Sequence, residues 1–240
     1  MKKMLILVAM LAMLAGRLFG EGSALSDAQV RFALNWIYSC FDGDHQNDLN
    51  ALFEQDMGYD TNQFVRVAKE MAEADERPRQ MLAIISKYDV QQGTPYLLGY
   101  TTNENISVAF AAGRLLLGRE GLTSNSVTAV EALLSTTDAS RDAAYWRDGL
   151  CRLALCEASR DGVANALRSR VLQSALSYAL RDGSHVASVD GYIMAFDSAY
   201  QYSSNRLEVL RSSLEWNIND YQRNYVTNAI HEIEAQLPPE

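Results

Sequence analysis

Between Leu25 and Leu237 the chain contains only two prolines, Pro78 and Pro95, and its apolar residues recur at intervals of three and four. That spacing puts them on one face of a helix turning every 3.6 residues, and no alternation at two runs long enough to build a strand. The expected fold is therefore all-α, with about a dozen antiparallel helices joined by short turns.

Local signals place most of the helices. Ser26-x-x-Gln29 has the form of a capping box and opens a helix to about Cys40, with Gly43 as its stop. A short helix carries Leu49, Leu52 and Phe53. Asp60 caps the next, bearing Phe64, Val67, Ala68 and Met71, and Pro78 suits the first turn of another ending near Tyr88. From Asp89 to Thr102 the pattern lapses, because Gly93, Pro95 and Gly99 read as breakers, so an irregular stretch is expected. Later helices are expected over Ile106–Leu117 with a stop at Gly118, around Val127–Leu134, from Asp138 to Ala158, and from Asp161 to Leu180. Three more follow, around Val186–Tyr200, around Leu207–Leu214 and from Asn219 onward.

A phrase recurs at several helix starts: Asp138-x-x-Arg141-x-x-Ala144 and Asp220-x-x-Arg223-x-x-Val226, with degenerate forms at Asp60, Asn103 and Asp182. The first positions are 43, 35, 44 and 38 residues apart. Two-helix repeats of the HEAT and armadillo kind have periods of about 40 to 47 residues. On Asp138, Arg141, Ala144, Asp220, Arg223, Val226, Ala229 and Ile230 the chain resembles a HEAT-like α-solenoid. The resemblance implies five helix pairs over residues 44–237 behind an N-terminal capping helix. Arginine is missing at three of the five repeat positions, and the competing architecture is an irregular helical bundle.

The N-terminus carries a different signal. Lys2 and Lys3 precede an apolar run from Met4 to Ala15, closed by Arg17, and Gly20, Gly22 and Ala24 supply small residues before Leu25. This is the pattern of a cleavable secretory signal peptide over residues 1–24, ahead of a single helical domain over 25–240. The run is too short for a helix to cross a hydrocarbon core, which takes roughly 20 residues. A periplasmic or secreted location is expected, with no membrane span after signal removal. The mature chain would hold 18 basic and 29 acidic side chains, a net charge of −11. A surface so acidic repels phosphate backbones, which argues against nucleic acid as a partner.

No catalytic motif emerges. Asp42, Asp44 and Asp48 suggest a calcium loop, but Asn47 stands where the turn glycine is needed and Phe53 where the bidentate glutamate is needed. His231-Glu232-x-x-Ala235 begins like a zinc-protease helix and lacks the second imidazole. The paired cysteine spacings of a zinc site are absent, and Cys40, Cys151 and Cys156 read as small buried residues. Arginines from Arg141 to Arg181, interleaved with Asp138, Asp142, Asp148, Glu157, Asp161 and Asp182, read as a solvated face laced with ion pairs. No cofactor or metal ligand set is expected.

These features favour an exported, non-enzymatic interaction scaffold for a protein or peptide partner. The alternatives are an all-α hydrolase or lyase with carboxylates gathered from several helices, or a small-ligand or metal-binding protein centred on residues 42–48. Six tyrosines lie beyond residue 175, and tyrosine is favoured at interfaces. Tyr192, Tyr221 and Tyr225 are the candidate partner-binding residues, expected to flank a groove, while Tyr200 is expected in the core.

Overall fold

A computed structural model describes residues 26–40, 60–136, 141–181, 203–215 and 219–237. These residues form ten α-helices and no strand: α1 Asp27–Cys40, α2 Thr61–Glu73, α3 Pro78–Tyr88, α4 Gly93–Tyr100, α5 Ile106–Glu120, α6 Ser124–Leu134, α7 Arg141–Ala158, α8 Asn165–Arg181, α9 Ser203–Ser213 and α10 Asp220–Glu234. The expected helices around Leu49 and over Val186–Tyr200 lie outside the described residues. The chain divides into two compact units, residues 1–81 and residues 82–240.

In the first unit α1 packs against α2. The Ser26–Gln29 capping box forms: the Ser26 amide donates to Gln29 Oε1 at 2.8 Å, and the Gln29 amide donates to Ser26 Oγ at 3.4 Å. Asp60 caps α2 by accepting from the Asn62 amide at 2.9 Å. Val30 and Leu34 are buried on α1, and Phe64, Val67, Ala68 and Met71 are buried on α2.

In the second unit, α4 meets α5 and α6, α5 meets α6 and α7, and α6 meets α7 and α8; α7 then meets α8, α8 meets α9 and α9 meets α10. From α4 to α6, each helix touches both its successor and the one after. One continuous core runs through the unit, from Phe110 and Leu117 through Leu150 and Leu172 to Val226 and Ile230. At Gly113 a Cβ would lie 2.5 Å from Leu133 Cδ1, so the glycine gives the buried Leu133 side chain of α6 its place against α5.

Three expected boundaries move. The stretch read as irregular contains α4, whose Gly93 is buried, and a Cβ there would meet Arg119 Nη1 at 2.8 Å. The Arg119 guanidinium donates to the carbonyls of Ser86 and Val90 and to Thr94 Oγ1, clamping the start of α4 onto the end of α5. Gly118 does not stop α5, which continues to Glu120 and is capped by Gly121 at φ +64°, a conformation that suits glycine. Asp161 lies in a turn with Gly162 (φ +80°) rather than in a helix, and α8 begins at Asn165.

Candidate functional site

The site with the most chemistry is a cleft of about 310 Å³ between the end of α6 and the second half of α8, lined by Glu131, Leu134, Ser135, Gln173, Ser174, Ser177 and Tyr178. Helical spacing brings these residues together. Glu131 and Ser135 are one turn apart along the end of α6, as are Gln173 and Ser177 along α8. Leu134 and Tyr178 are buried and form its apolar lining.

Among the described residues of the wall Glu131 alone is charged, and it is held from both oxygens by Arg170, whose Nε donates to Oε1 at 2.8 Å and whose Nη2 donates to Oε2 at 2.5 Å, so the pair carries no net charge. Arg170 Nη2 also donates to Thr128 Oγ1 at 3.0 Å. Hydrogen bonding to Glu131 raises the Arg170 pKa further above its ordinary value. A forked pair of this kind fixes both side chains in one geometry.

Behind the cleft Arg147 of α7 is buried, with its guanidinium carbon 5.9 Å from the centre of the Tyr178 ring. It donates from Nη1 to the Thr136 carbonyl just beyond α6, at 3.1 Å. One cation thus ties the end of α6 to the aromatic lining, and the cleft is built before any ligand arrives. Ser135 Oγ donates to the Ala132 carbonyl at 2.7 Å. The side chains of Gln173, Ser174 and Ser177 form no hydrogen bond to any described residue. A glutamine amide and two hydroxyls supply donors and acceptors without charge, which suits a neutral hydrogen-bonding ligand. Among the described residues of the wall, Glu131 is occupied by Arg170 and none is a histidine.

The tyrosines singled out in the sequence do not line this cleft. Tyr192 lies outside the described residues, as do Tyr200 and the Asp42–Asp48 cluster. Tyr221 is 70% exposed on the first turn of α10. Tyr225, one turn later, is half-buried and packs against the core. His231 is exposed, 3.8 Å from Glu234, and Ala235 caps α10. Among the described residues, no three histidine, cysteine or acidic side chains are grouped to hold a metal ion. None of the described helices is long and apolar enough to cross a membrane.

Two expectations need correction. The arginine-rich face is only partly a solvated one: Asp148 and Arg152 do pair at 2.7 Å, but Arg147 and Arg168 are buried and donate to backbone carbonyls. Cys151 is buried as expected, its thiol pushed up to about 12 by burial and by the nearby Asp148, whereas Cys156 is exposed. Sequence reasoning passed over the cleft residues because polar side chains one turn apart look the same whether they face open water or a neighbouring helix. Comparison with protein-family models, with curated proteins and with solved structures returns no match in any of the three.

Proposed function

We propose that this chain is an exported interaction scaffold: a helical domain over residues 25–240 released from a signal peptide over residues 1–24, acting in the periplasm or outside the cell by binding a protein or peptide partner. The observation that carries the reading is the cleft between α6 and α8, its Glu131 paired with Arg170, braced from behind by Arg147 and fronted by the unengaged side chains of Gln173, Ser174 and Ser177. An extended peptide offers alternating amide donors and carbonyl acceptors, which a glutamine and serines match without desolvating a charge. The contacts of α4, α5 and α6 with the next helix and the next but one support a HEAT-like stacking of helix pairs, the arrangement that yields extended binding surfaces. Tyr221, exposed on α10, is a further candidate contact residue, and Tyr192 and Tyr225 remain candidates on the sequence pattern alone.

The test is site-specific photocrosslinking in cells expressing the full chain, with a benzophenone amino acid at Gln173 or Ser177 and, as control, at the exposed Asn228. A discrete adduct from the two cleft positions and none from Asn228 is expected. Indistinguishable patterns from all three would remove the cleft from the reading. The export half is tested separately by the mass of the native protein, which should begin between Glu21 and Leu25; retention of Met1 in most molecules would refute it.

A further inference from the structure

A second surface, sharing no residue with the cleft, lies where α5 packs against α7. Tyr145 is 73% exposed, and its ring meets Trp146 edge-on with centroids 5.8 Å apart. Arg114, exposed on α5, places its guanidinium carbon 5.8 Å from the centre of the Trp146 ring. Gly149 lies alongside: a Cβ there would sit 3.8 Å from Arg114 Nη1, an ordinary contact distance.

What sets Arg114 apart is what it does not do. In the same unit Arg119, Arg152, Arg160, Arg170 and Arg211 pair with carboxylates, and Arg147, Arg168 and Arg223 donate to carbonyls. Arg114 forms no hydrogen bond or ion pair with any described residue, although the chain is acidic overall, with a net charge of −9. Its whole planar donor fork is unengaged while the Trp146 face steadies it. Steadying beforehand reduces the side-chain entropy lost when a partner binds. Arginine, tryptophan and tyrosine are also the residue types that dominate binding energy at interfaces.

We propose that Arg114, Trp146 and Tyr145 form a contact platform for an acidic segment of a protein partner, a carboxylate taking the Arg114 fork and an adjacent apolar side chain covering Tyr145. The proposal rests on the scaffold reading and adds to it the chemistry of a partner. Charge complementarity selects the occupant: the free group is a cation shaped for a carboxylate, and the surrounding aromatic area suits an apolar neighbour.

The test uses two short fluorescein-labelled peptides, one alternating glutamate and leucine and one alternating glutamine and leucine, titrated with the full mature chain and read by anisotropy. The glutamate peptide should bind about tenfold more tightly, the size expected of one charge-assisted contact. The overall negative charge of the protein favours the opposite order, so such a preference has to come from a local cation. Arg114→Gln should abolish the preference. Tyr145→Ser should weaken both peptides alike, and neither exposed substitution should move the melting midpoint. Equal affinity for the two peptides, no binding of either, or a preference that survives Arg114→Gln would each overturn the proposal. Crosslinking from Ser177 that persists in Arg114→Gln would confine such a failure to this platform and leave the cleft standing.

Discussion

In the α1–α2 pair, charged side chains meet at the surface. Arg66 bridges Asp27 at 2.5 Å and Glu70 at 2.7 Å, and Arg31 reaches Glu76 at 2.9 Å, all with side chains between about a third and a half exposed. In residues 82–240 several arginines turn inward instead: Arg147 and Arg168 are buried, and Arg119 is largely so, each donating to carbonyls at a helix end. The same residue type does two different jobs. An exposed ion pair trades water contacts for protein contacts at little net gain and weakens with salt. A buried guanidinium cannot turn to water for its hydrogen bonds, so the carbonyls it reaches keep its donors satisfied and fix the helix ends they belong to. Charge should therefore be dispensable in the first unit and structural in the second.

The largest expected effect lies in the continuous core of the second unit. Phe110 is fully buried there, and Phe110→Ala should destabilise the protein by about 3 to 5 kcal/mol in denaturant titration. A loss below about 1 kcal/mol would mean that this core tolerates a cavity and that the contrast is overdrawn. Next, Ile230 is 7% exposed and its neighbour His231 exposed on α10. Ile230→Ala should cost about 2 kcal/mol or more, and His231→Ala should leave the melting midpoint nearly unchanged. Equal effects would place the buried face of α10 wrongly.

A smaller loss, roughly 1 to 3 kcal/mol, is expected for Arg119→Ala, because the charged hydrogen bonds that tie Ser86, Val90 and Thr94 to α5 are removed. Raising the salt concentration should not abolish that loss. If it does, Arg119 belongs with the surface pairs rather than with the buried clamps.

The smallest effect tests the first unit. Hydrogen bonds from Arg66 and Gln63 hold the Asp27 carboxyl below its ordinary value of 3.8. A depressed folded-state pKa stabilises above the unfolded value, and that contribution disappears as pH falls through the folded one. Hydrogen exchange of α1 and α2 amides should therefore be slightly faster in Asp27→Asn than in the parent at pH 6, and the two should converge as pH drops below 3.8. High salt should also shrink the difference. A gap that persists at low pH would show that Asp27 acts through something other than its charge.

Helix starts were legible where the signal is local. Ser26 with Gln29, Asp60, and Asn219 at the start of α10 all cap the helices they were expected to open. A cap depends on side chains within three or four positions, which the sequence displays directly. The missed helix α4 is the opposite case. Gly93 and Pro95 look like breakers until Arg119, 26 residues after Gly93, is seen to need the space that a Cβ at Gly93 would fill. For the cleft, the sequence offered Gln173, Ser174 and Ser177 as ordinary polar positions, and nothing in it named Glu131 and Ser135 as their neighbours.

The order of residues alone was enough to show that the described parts of the chain are helical and which residues of most of those helices turn inward, since the 3.6-residue period writes burial into the order of apolar side chains. Tertiary contacts set which of the described arginines are engaged, Arg114 not among them, and which polar turns of α6 and α8 face each other. Those outcomes depend on contacts between residues tens of positions apart, and helical periodicity carries no information about which helix comes to lie beside which.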